Sequence, residues 1–137
     1  MSSAESPDRR PRVLIIDDDM SVRMAMARYF KRRAWDATEA VDAESAMQML
    51  APNEGAEFDV VICDLRMPRV SGIDLYRWMV RERPDTVSRL AFSTGDAEGR
   101  DVAEFLEEAS RPVLPKPFEL SRLARIVDEI LTPARAA

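Results

Sequence analysis

Two short apolar runs, VLII at 13–16 and VVIC at 60–63, each stop abruptly at acid, the first at Asp17-Asp18-Asp19 and the second at Asp64. A continuous apolar run of this length suits a strand buried on both faces, because a half-solvated strand would alternate apolar and polar residues. A strand buried on both faces needs helices above and below it, which points to an α/β chain. The intervening segments supply them. Val22, Ala25, Met26, Tyr29 and Phe30 recur at helical spacing behind Ser21 as a cap. Residues 35–41 read as a weak outer strand. Asp42 then caps a helix carrying Ala46, Met47 and Leu50, which PNEG at 52–55 ends. Beyond Asp64, a loop with Pro68 and Gly72 leads to a helix with Ile73, Leu75, Tyr76 and Met79 that stops before Pro84. RLAFST (89–94) is a fourth strand, and TGDAEG (94–99) its loop. A short helix follows, with Val102, Leu106 and Ala109 on one side. PVLP (112–115) is a brief fifth strand whose prolines favour an edge. The last helix turns Leu120, Leu123, Val127 and Ile130 inward.

Five strand–helix units imply a parallel sheet with right-handed crossovers. A closed barrel would need eight units and roughly 250 residues, whereas the chain has 137, so the sheet is open. One domain is expected over 12–132, with a disordered lead-in at 1–11 and a tail at 133–137. Nothing in the N-terminal segment resembles an export signal and no apolar run could span a membrane, so a cytoplasmic location without membrane contact is expected. The net charge of −5 argues against nucleic acid as partner. Arg28, Lys31, Arg32 and Arg33 read as the solvated end of a helix. The chain has no histidine and one cysteine, which excludes Ser–His–Asp and Cys–His catalysis, histidine metal ligands and a disulfide framework. Any chemistry runs on carboxylates, hydroxyls and a few cations.

In an open α/β sheet the ligand sits beyond the carboxyl ends of the strands. There stand Asp17, Asp18 and Asp19, then Asp64, then Ser93 and Thr94, then Lys116. A lone strand-end aspartate is commonly a cap or turn residue. Carboxylates on adjacent strands, ~4.8 Å apart, repel instead; at ~4 Å two charges cost about 4 kcal/mol at an effective dielectric of 20. Such a group needs a cation or a proton. An all-oxygen set suits Mg2+, and Lys116 suits an anionic ligand oxygen. Metal, lysine and hydroxyl around one aspartate are the equipment for phosphoryl transfer, in which aspartate can act as a covalent nucleophile.

VLIIDDDMSVR, VVICDLRMPRVSGIDL, FSTGD and LPKPF resemble the motifs of the receiver domain of two-component response regulators, including the chemotaxis response regulator, over about residues 12–132. The resemblance implies a flavodoxin-like five-stranded parallel sheet of order 2-1-3-4-5 with helices on both faces. It implies that Asp64 accepts a phosphoryl group from a sensor histidine kinase or a histidine phosphotransfer protein. Asp18 would bind Mg2+ directly and Asp17 through water, with Asp64 and the Arg66 carbonyl completing the protein's share. Lys116 would pair with Asp64 and then with a phosphoryl oxygen, and Thr94 would swing toward the group. The Lys116–Pro117 bond would be cis. Asp19 is expected to cap or orient the first helix.

Two departures stand out. The family's aromatic residue three before the lysine is Val113 here, and a valine cannot make the same large rotation. Arg66 and Asp96 flank the site, and an ion pair between them would slow hydrolysis; an unchanged phosphoryl lifetime in Arg66→Asn would refute that. Cys63 is expected to point away from Asp64 as a small buried residue, Trp35 and Trp78 to pack, and Phe105 to be either buried or exposed. The chain is read as a signalling module rather than an enzyme, with no output domain of its own, acting by binding a partner or by passing the phosphoryl group on, either as a single-domain response regulator or as the receiver of a hybrid kinase. Three other readings carry less. A constitutive pseudo-receiver need not retain Asp18, Asp64, Thr94 and Lys116 together. An aspartyl-phosphate phosphatase would need a second acid where Arg66 stands, and a flavin protein a glycine-rich loop after the first strand.

Overall fold

Residues 9–51, 57–95 and 99–132 are described by the computed structural model. The elements run β1 (Arg12–Ile16), α1 (Met20–Lys31), β2 (Asp36–Ala40), α2 (Ala43–Leu50), β3 (Val60–Asp64), α3 (Gly72–Glu82), α4 (Pro84–Val87), β4 (Leu90–Thr94), α5 (Arg100–Ala109), β5 (Val113–Pro115) and α6 (Leu120–Leu131). The strands are parallel in the order β2-β1-β3-β4-β5. The fold is therefore the flavodoxin-like one that the motifs imply. α4 is a single turn begun by Pro84 that the strand–helix reading did not include.

Every residue of β3 and β4 is buried, because each central strand is covered on both faces. Leu14, Ile16, Val61, Cys63, Leu90 and Phe92 pack under α2, α3 and α5. Their alternates Val13, Ile15, Val60, Ile62, Ala91 and Leu114 pack under α1 and α6. Phe30 and Phe92 are fully buried, each stabilising by about 1.5–3 kcal/mol relative to exposure.

Helix ends corrected the sequence reading in places. The cap of α1 is Asp19, whose Oδ1 accepts from the Ser21 backbone N–H at 2.9 Å and from its hydroxyl at 2.7 Å; Ser21 is the donor and not the cap, since a carboxylate is the stronger acceptor. Asp42 caps α2 as expected. Ala25 is exposed and the inner face of α1 carries Arg23, Met26, Ala27, Tyr29 and Phe30 instead. Leu120, the first residue of α6, is 54% exposed, and Ile126 takes the inward place.

α1 ends in a Schellman motif: Trp35 N–H donates to Phe30 O at 3.1 Å and Ala34 N–H to Lys31 O at 3.0 Å, with Ala34 at φ 66°. The Phe30 and Trp35 rings meet edge-on at 5.0 Å. Arg9 pairs with Asp59 at 3.4 Å and Arg10 with Asp36 at 3.9 Å. The rest of the expected lead-in, 1–8, and the tail 133–137 lie outside the described residues.

Candidate functional site

The register builds the site. Ile16 pairs with Cys63 across β1 and β3, and Asp64 with Ser93 across β3 and β4, which in turn pairs with Leu114 of β5. One step beyond Ile16 and Cys63, the row across the sheet reads Asp17, Asp64, Ser93, Leu114. The pleat puts alternate residues on one face, and this row faces the α1/α6 side, where Ile15, Ile62, Ala91 and Leu114 pack.

Asp17 is 1% exposed and Asp64 5%, while Asp18 lies in the open. A carboxylate oxygen from each of the three falls within 4.8 Å of the others. Lys116 reaches back over the row, its Nζ 2.9 Å from Asp17 Oδ2 and 3.4 Å from Asp64 Oδ2. The Lys116–Pro117 bond is cis. Asp17 Oδ1 accepts from the Asp19 N–H at 2.8 Å, and Asp64 Oδ1 from the Arg66 N–H at 3.3 Å. Burial and then the Asp17 charge push the Asp64 carboxyl up to about 6, against the pull of Lys116. Burial works against the Lys116 ammonium, but its two carboxylates outweigh that and raise its pKa overall. The cluster thus carries more carboxylate than one ammonium can neutralise, and its donors are all oxygen. That is the composition a hard divalent cation fits.

Gly72, the first residue of α3, seats the loop that follows Asp64. Its N–H donates to Leu65 O at 2.9 Å, and a Cβ there would stand 2.3 Å from Asp64 O and 2.8 Å from Leu65 Cα. Thr94 is buried at the end of β4, and its carbonyl accepts from the Lys116 N–H at 2.9 Å. Arg66 lies at the surface; Asp96, its expected partner, lies outside the described residues.

One participant escaped the sequence reading. Arg23 is buried to 9% exposure, its guanidinium donating to Asp17 O at 2.8 Å and to Glu39 Oε1 at 3.1 Å. It ties the backbone beneath the acidic pair to β2. A charged residue on a helix reads as solvated, and only its place between Met26 and the acidic run hinted otherwise. Val113 pairs with Phe92, and the same side of the sheet holds a three-ring cluster. Tyr76, Phe92 and Phe105 meet edge-on at 5.3–5.9 Å. Phe105 is therefore buried, at 5% exposure. Cys63 is buried on the side opposite Asp64, and burial, with the charges of Asp64 and Asp17, pushes its thiol up. No helix among the described residues is long and apolar enough to cross a membrane.

Compared with known families, residues 13–128 match the response regulator receiver domain. The chain is 33% identical over 119 residues to the sensor kinase CckA of Brucella abortus, covering 87% of this chain and 12% of that protein. It is 31% identical over 121 residues to protein PetR of Rhodobacter capsulatus, covering 88% of this chain and 48% of that one. It therefore spans half or less of the length of these relatives. Among solved structures, a response regulator receiver protein from Pseudomonas putida is 31% identical with a TM-score of 0.77, covering 88% of this chain and 98% of the other.

Proposed function

The chain belongs to the response regulator receiver domain family, and from that premise we propose that Asp64 is its phosphoacceptor, charged by the histidine of a sensor kinase or of a phosphotransfer protein. One observation carries the reading: the Lys116 ammonium bridges Asp17 and Asp64, 2.9 and 3.4 Å away, over the carboxyl ends of β1 and β3. The receiver is taken as residues 12–132.

In the transfer, an Asp64 oxygen attacks phosphorus. The new O–P bond forms as the P–N bond to the donor imidazole breaks, and that nitrogen keeps the electron pair and takes a proton from solvent. The nucleophile must be ionised, and a carboxyl that titrates near 6 is mostly so at neutral pH. Lys116 would pass from Asp64 to a phosphoryl oxygen while keeping Asp17, and Thr94 would supply a hydroxyl donor. Asp17, Asp18, Asp64 and the Arg66 carbonyl would hold Mg2+, which when bound offsets the charge of carboxylate and phosphoryl oxygens. Phosphorylation then biases the Thr94 end of β4 toward a second arrangement, and a protein partner reads the shift.

The test is intact mass over time with a small phosphodonor, in Mg2+ and in chelator, with Asp64→Ala in parallel. A single phosphoryl gain that needs both Mg2+ and Asp64 is expected. No gain, together with no uptake of beryllofluoride, would overturn the reading in favour of a constitutive binding module.

A further inference from the structure

We propose that the Ser93 hydroxyl is a further hydrogen-bond donor to the acceptor once Asp64 carries its phosphoryl group, distinct from Thr94 and Lys116; this rests on Asp64 being the phosphoacceptor. Ser93 is 1% exposed, and its Oγ is buried with no hydrogen-bond partner among the described residues. A buried hydroxyl left unbonded costs stability. Along its own face Ser93 follows Ala91, and across the row it has Leu114 on one side.

On the other side stands Asp64, its partner in the register. Lys116 lies two residues past Leu114 and reaches Asp64 and Asp17, so its side chain spans from the β5 side across β4 to β3 and β1. Along the row, the carboxyl of Asp64 is the polar side chain next to the hydroxyl. In the resting site both Asp64 oxygens are engaged, Oδ1 by the Arg66 N–H and Oδ2 by Lys116. Phosphorylation adds acceptor oxygens at this point and draws Lys116 toward them, so the acyl phosphate presents an oxygen for which Ser93 is the donor already in place.

A merely tolerated polar residue makes a different prediction, and one variant separates the two. Ser93→Ala and the unchanged protein are titrated with beryllofluoride at saturating Mg2+, followed by 19F NMR. Mg2+ alone and the thermal midpoint without ligands are measured alongside. The variant is expected to bind beryllofluoride about tenfold more weakly, the worth of one hydrogen bond to a charged group. Its Mg2+ affinity is expected to be unchanged and its midpoint equal or higher. Equal beryllofluoride affinity would overturn the proposal. So would a parallel loss of Mg2+ affinity or a lowered midpoint, since the hydroxyl would then act through the metal site or through resting structure. An unchanged protein that binds no beryllofluoride would instead refute the phosphoacceptor reading, and the serine's role with it.

Discussion

Asp64 is more costly to ionise in the folded chain than in an unfolded one, because burial and the Asp17 charge raise it from 3.8 to about 6. The folded form therefore keeps a proton that the unfolded form releases between pH ~4 and ~6. Stability from this group is highest below that window, falls as pH rises through it, and is flat above about 6. A rise of some two pH units corresponds to a ceiling of about 3 kcal/mol. Asp64→Asn, measured by urea unfolding in chelator, should be more stable than the unchanged protein by roughly 1–3 kcal/mol at pH 7.5, with the gain vanishing near pH 4. A variant less stable at pH 7.5 would mean that Lys116 holds the ionised form at a net gain. The acidic residues were legible in the sequence because each follows an apolar run. Arg23 was not, because only the fold shows that Asp17 O and Glu39 lie within its reach.

Elements follow their local signals where one interaction dominates and depart where tertiary packing decides. The buried strands and the Asp42 cap needed no more than pattern and side-chain chemistry. Leu120 was misread because helical spacing marks a face but not where that face stops meeting the sheet: α6 begins before the core does. The α1 terminus shows a local rule broken. The position after α1 that must turn left-handed is Ala34, at φ 66°, where a Cβ costs roughly 1–2 kcal/mol and glycine costs none. The same exchange loosens the unfolded chain by about 0.5–1 kcal/mol. Ala34→Gly should therefore raise stability by about 0.5–1 kcal/mol, read as a higher urea midpoint at unchanged slope. A lower midpoint would show that the strain is already relieved by the Phe30–Trp35 contact.

At the scale of the molecule, β3 is the central axis: both cores close on it, and its last residue is the proposed acceptor. The two halves of the core lie on opposite sides of one sheet, so neither helical layer can leave without exposing strands that also line the other. That coupling was legible from VLII and VVIC, since a run apolar at every position has to be covered twice. The strand that carries Asp64 also carries, one residue earlier and on the other face, the sole thiol of the chain, 1% exposed and shifted away from its reactive thiolate form. Cys63 is in effect a sealed tag on the axis of the sheet. A thiol reagent should leave it untouched for as long as the sheet stays shut and label it at the rate the sheet opens, and Mg2+ should slow that labelling by holding the three aspartates together. Labelling that is fast in native buffer, or indifferent to Mg2+, would contradict this. With no competing cysteine to label, the residue beside the proposed acceptor doubles as a clock for how often the whole protein comes apart.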